Sequence, residues 1–196
     1  MKRVIIVAAT LLAIFAVVSC KNNTQKRIVS DVPIKSEVLG LKLCSVTDEE
    51  AVEETLYNAA SLDFIADSQK NGVGTVVRAF PTNFNIPYGG LGWTYVDVSL
   101  NEKNEIVAVS LVASYESIER AEEQFNKASQ IFTNKYGKPN LNEEFHNAFW
   151  TDNTNSVGLT YSESAAINGS NRSFCTLYYV NRALSDALDK ANTPDI

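Results

Sequence analysis

Apolar positions recur at three- and four-residue steps in two stretches of the chain and at two-residue steps in several others. Val52, Leu56 and Ala59 share one helical face. Thr47 and Glu50 stand three apart ahead of them, so a capping box predicts a helix from about Asp48 to Ala60. Ile118, Ala121, Phe125, Ala128, Phe132 and Tyr136 repeat the pattern over a longer run. Glutamates at 116, 119, 122 and 123 and lysines at 127, 135 and 138 match that helix's dipole, and Gly137 with Pro139 ends it. Strands are predicted over 39–46, 62–67, 73–80, 92–100, 106–113, 146–151, 156–162 and 173–181, with a short last helix over 183–191. The clearest pair is 92–100 with 106–113, a hairpin turning at Asn101–Asn104, in which Trp93, Tyr95 and Asp97 are expected on one face. Helices separated by groups of strands indicate α+β: an antiparallel sheet with two main helices packed on one face and a short C-terminal helix.

Ahead of this pattern lies a different one. Lys2 and Arg3 precede an apolar run from Val4 to Val18 broken only by Thr10. That is the charged and greasy part of an export signal, and its 15 residues fall short of the ~20 that a spanning helix needs. Val17-Val18-Ser19-Cys20 follows, and it resembles the lipobox of bacterial lipoproteins. The resemblance implies cleavage before Cys20, a diacylglycerol on its thiol and an acylated new amino group. An ordinary cleaved signal ending near a cysteine is the alternative. Lys21 after the cysteine, rather than aspartate, resembles the signal of a lipoprotein sent on to the outer membrane, and no acidic run follows that would mark surface display. The expected location is therefore the outer membrane, facing the periplasm. The organisation is a signal over 1–19, a lipidated cysteine and flexible tether over 20–36, and one α+β domain over 37–196.

Two short features, Thr47-Asp48-Glu49-Glu50 opening a helix and Lys135-Tyr136-Gly137-Lys138-Pro139 closing one, resemble small-lipoprotein folds related to β-lactamase inhibitor protein. In those folds a helix and strands form a unit used twice. The resemblance implies a non-catalytic role in binding proteins or assembling the envelope, and carries no site residues with it.

Losing Lys2 and Arg3 with the leader takes the formal charge from −6 to −8, and the remaining cations are scattered. Nucleic acid is thus an unfavourable partner, and the lipid bilayer, reached through acylated Cys20, is the expected one. Two thiols remain, Cys44 and Cys175. They are either a disulfide, which an exported compartment permits, or two small buried residues in separate strands.

Chemistry is sparse. His146 is the one histidine, which excludes a histidine metal cluster, and no cofactor motif appears. Asp97 with Glu102, and Glu143, Glu144 and Asp152, are the carboxylates a hydrolase would draw on. The stretch from Ile86 to Tyr95 combines Pro87, three glycines and the aromatics Tyr88, Trp93 and Tyr95. These rings, with Trp150, either stack on a glycan or anchor a protein ligand, or else plug the core. The expected function is a membrane-anchored binding or assembly module. A glycan-binding lipoprotein and a carboxylate-based hydrolase are the alternatives.

Overall fold

The computed structural model describes residues 27–71, 74–142, 146–164 and 171–192. The expected leader, Cys20, and Glu143 and Glu144 lie outside the described residues. Sheet dominates. The elements are β1 (Glu37–Val38), β2 (Leu41–Lys42), α1 (Glu49–Ala60), β3 (Phe64–Asn71), β4 (Gly74–Pro81), β5 (Ile86–Tyr88), β6 (Leu91–Trp93), β7 (Tyr95–Asn101) and β8 (Ile106–Tyr115). They continue with α2 (Ile118–Tyr136), β9 (Asn140–Asn142), β10 (Asn147–Thr151), β11 (Asn155–Ser164), β12 (Arg172–Asn181) and α3 (Arg182–Asn192).

Eight strands form one antiparallel sheet in the order β3-β4-β7-β8-β12-β11-β10-β9. A helix followed by four meandering strands occurs twice, and the last strand of each run pairs with the other at the centre, Leu111 opposite Leu177. The hairpins β1–β2 and β5–β6 are accessory. Both central strands are buried along almost their whole length, and β8 accordingly reads as a nearly unbroken apolar run.

Alternation along the strands divides the sheet into two faces. Val77 and Ala79, Val96 and Val98, Val109 and Leu111, Leu177 and Tyr179, and Val157 and Leu159 belong to one large core cluster. Val52 and Leu56 of α1 join it, as do Ala121, Ala128, Phe132 and Tyr136 of α2. Each fully buried aliphatic contributes about 1.5–3 kcal/mol. α3 packs near β8 and β12, where Leu184 meets a separate small cluster of Val107, Ala108 and Val180.

Several local expectations are revised. Asp48, not Thr47, caps α1: its Oδ1 accepts from the Ala51 N–H at 2.9 Å, while the Thr47 N–H is spent on the Asn104 carbonyl. The extended segment expected over 39–46 instead folds back at Leu39 and Gly40, whose φ of 52° and 77° make the tight turn of β1–β2. The strand expected over 92–100 breaks at Thr94. Trp93 therefore joins the core in β6, and Tyr95 and Asp97 point the other way from β7.

Residues 28–34, expected to be part of a flexible tether, are held against the domain. Ile28 is bound at both backbone groups by the Asn140 amide, with N–H to Oδ1 and Nδ2 to O both at 2.8 Å. The Ser30 N–H reaches the Thr151 carbonyl at 2.8 Å, the Ile34 N–H reaches Asp152 Oδ2 at 2.6 Å, and Ile34 is buried. Sequence polarity misled here because the anchoring is made by backbone groups, which carry no compositional signal.

Candidate binding face

The sheet face turned away from the main cluster carries an unbroken cross-strand row. Asp67, Arg78, Asp97, Ser110, Tyr178, Gly158, Phe149 and Asn140 are successive partners on the eight strands. A second row runs from Tyr95 through Val112, Thr176, Thr160 and Asn147 to Asn142. Several of these polar groups are buried: Arg78, Asp97, Ser110, Thr176, Thr160 and Asn147.

Arg78 and Asp97 are its centre. The planar guanidinium meets the carboxylate in a two-pronged pair, Nε to Oδ1 and Nη2 to Oδ2, both 2.6 Å. The guanidinium also lies 4.5 Å from the Tyr95 ring centroid, and Phe80 packs against Tyr95 at 5.3 Å. Burial pushes the Arg78 pKa down, but the hydrogen bond and charge of Asp97 outweigh that and leave it above its ordinary value. Burial likewise raises the Tyr95 hydroxyl pKa, only partly offset by the nearby guanidinium. Next in the row, the Ser110 hydroxyl is fully buried and makes no hydrogen bond. Gly158 is required by its neighbour: a Cβ there would fall inside the ring and hydroxyl of Tyr178. Tyr178 uses that space to pass its hydroxyl to Asn147 Oδ1 at 3.3 Å.

The expected aromatic platform is mostly interior. Trp93 and Trp150 are 0 % and 1 % exposed, and their indole N–H groups donate to the carbonyls of Tyr88 (3.1 Å) and Gly137 (2.8 Å). Tyr95 is buried on the second face, and half-buried Tyr88 donates from its hydroxyl to that of Tyr179 at 3.1 Å. Burial raises the Tyr88 and Tyr179 pKa values. Trp93 and Trp150 thus present no face on which a sugar could stack, and the four aromatics do not converge on one surface. Of the two cysteines among the described residues, Cys44 is free and exposed in the turn after β2, at φ 67°, not buried in a strand as expected, and Cys175 is free and buried in β12. They form no disulfide with each other.

The carboxylates are committed elsewhere. Asp97 pairs with Arg78, whereas Glu102 stands exposed on the β7–β8 turn. Asp152 Oδ1 accepts from the Thr154 and Asn155 N–H groups at 2.7 Å each, and its Oδ2 holds Ile34. Glu53 Oε1 accepts from the Ala66 N–H at 2.6 Å and so caps the edge strand β3. His146 sits exposed at φ 47°, 4.6 Å from the Tyr161 ring, which packs toward the main cluster and so lies on the opposite side of the sheet from Ser110. No histidine–serine couple is formed. A hollow of about 220 Å³ beside α2 is lined by Tyr115, Arg120, Glu123, Gln124 and Lys127, of which Glu123 and Lys127 pair with each other at 2.6 Å. Among the described residues, no three His, Cys, Asp or Glu side chains gather as a metal set, and no helix is long and apolar enough to cross a membrane.

The sequence reading singled out Asp97 but missed Arg78. The available signal was a lone charge inside each of two apolar strands, Arg78 in VVRAF and Asp97 in YVDVS, of opposite sign. No family model, curated protein or solved structure matches the chain.

Proposed function

We propose that this protein is an exported lipoprotein, acylated at Cys20, whose domain is a non-catalytic binding or envelope-assembly module on the periplasmic side of the outer membrane. The observation that carries the reading is the use made of ionisable groups. Asp97, Asp152, Glu53 and Arg78 each hold strands or loops in place, so these ionisable groups brace the sheet rather than furnish a reactive cleft. The arrangement of the helices belongs to the same reading. Two longer helices cover one face, which the shared cluster of Val52, Leu56, Ala128 and Phe132 supports, and the short one lies elsewhere at Leu184. The doubled run of helix and four strands supports the likeness to folds related to β-lactamase inhibitor protein.

Two measurements test it. Cys20→Ala is expected to move the protein from the membrane pellet to the soluble fraction, and pelleting after a carbonate wash would count against the anchor. A photo-cross-linker placed at Gln69, on the second face, is expected to give a discrete adduct in intact host cells, unlike one at Tyr57 on exposed α1 surface. Turnover of a substrate by the purified domain, abolished by a point substitution, would refute the non-catalytic reading.

A further inference from the structure

We infer that the β9–β10 edge and the C-terminal end of α2 are the membrane-facing side of the domain, with the β3 edge held farthest from the lipid; this rests on the lipoprotein reading. The restraint is the strap formed by residues 27–34. Asn140 grips Ile28 through both of its backbone groups, and the Ser30 Oγ donates to the Tyr136 carbonyl at 3.0 Å. The Ser30 N–H reaches Thr151, and Asp152 takes the Ile34 N–H. The Arg27 guanidinium lies 5.3 Å from the Phe149 ring centroid. Every one of these partners belongs to β9, to β10 and the turn after it, or to the end of α2.

Only eight backbone steps separate Cys20 from Ile28. At full extension they span about 28 Å, so Asn140 cannot move farther than that from the acylated residue. The sheet is eight strands wide, and seven spacings of ~4.8 Å place β3 about 34 Å beyond β9. A strap at one edge and a leash shorter than the sheet's width give the domain a near side and a far side. The near side carries Arg27, Lys135 and Lys138, cations suited to lipid phosphate. The far side exposes Ile65, Phe80 and Phe84 to the compartment.

The test uses full-length lipidated protein in phosphatidylethanolamine–phosphatidylglycerol vesicles containing a lipid with a headgroup spin-label quencher. Cys44→Ser removes the exposed native thiol, and a fluorophore is attached through Lys138→Cys in one sample and Lys70→Cys in another. Strong quenching is expected at 138 and weak quenching at 70. A Gly/Ser insertion of about 20 residues after Lys26, with a mean span of ~25 Å, is expected to erase the difference without touching the fold. Vesicle-bound protein with equal quenching at both sites, or a difference that survives the insertion, would overturn the orientation alone. Protein that does not float with vesicles and carries an unmodified Cys20 by mass spectrometry would overturn the lipoprotein reading and the orientation together.

Discussion

Gly158→Ala is the substitution that most directly probes how the second face is built. The added methyl would lie 2.6 Å from Tyr178 Cε2 and closer still to Cζ and the hydroxyl, whereas ordinary contact begins near 3.4 Å. From the hydroxyl at 2.0 Å the ring must retreat by about 1.4 Å. Tyr178 is fully buried, packs against Phe149 and holds Asn147 through its hydroxyl, so retreat opens that cluster as well. Overpacking of this kind costs about 1–3 kcal/mol, and the lack of free volume sets the expectation at about 3 kcal/mol. For a domain of this size that lowers Tm by roughly 6–12 °C, measurable by calorimetry or urea unfolding. Tyr178→Val on its own should cost about 3 kcal/mol through the cavity it leaves. The double variant should be more stable than the sum of the two losses by about 1–2 kcal/mol, because truncating the ring makes room for the methyl. A Gly158→Ala cost below ~0.5 kcal/mol, or strict additivity, would refute the proposed packing.

Two other outcomes follow from the same face and its tyrosines. Asp97→Ala strips Arg78 of the partner in both 2.6 Å bonds and should cost about 3 kcal/mol or more, whereas Arg78→Met with Asp97→Leu should lie near the parent, as judged by urea midpoints. Burial raises the Tyr95 and Tyr179 pKa values in the folded state, so folding keeps protons that the unfolded chain releases near pH ~10. Stability should be intact below that pH and fall by roughly 1.4 kcal/mol per pH unit for each tyrosine as the pH rises toward the folded values. Tyr179→Phe should remove one tyrosine's share of the slope, roughly 1.4 kcal/mol per pH unit, and an unchanged slope would contradict the assignment.

The periodic elements were legible because periodicity is a local property. Residues 118–136 form α2 because apolar residues at three- and four-residue steps can be buried in only one way, and Gly137 at φ 83° ends it as its position suggests. The β7–β8 hairpin was readable for the same reason, since Asn101 and Asn104 turn the chain between alternating strands. Trp93 was misassigned because alternation through Thr94 reads as one strand, whereas the turn at Gly89 and Gly90 pairs β6 with β5 and ends β6 at Trp93.

The sequence by itself determined the α+β composition, the two main helices and every strand of the large sheet but β9, because burial patterns of 3.6 and 2 residues are written along the chain. Only the tertiary structure decided that Arg78 meets Asp97, that Gly158 yields its space to Tyr178, and that Asn140 holds Ile28. Each of these joins residues from different strands or ends of the chain, and the free energy that selects them comes from desolvation and packing at a meeting point no local pattern specifies.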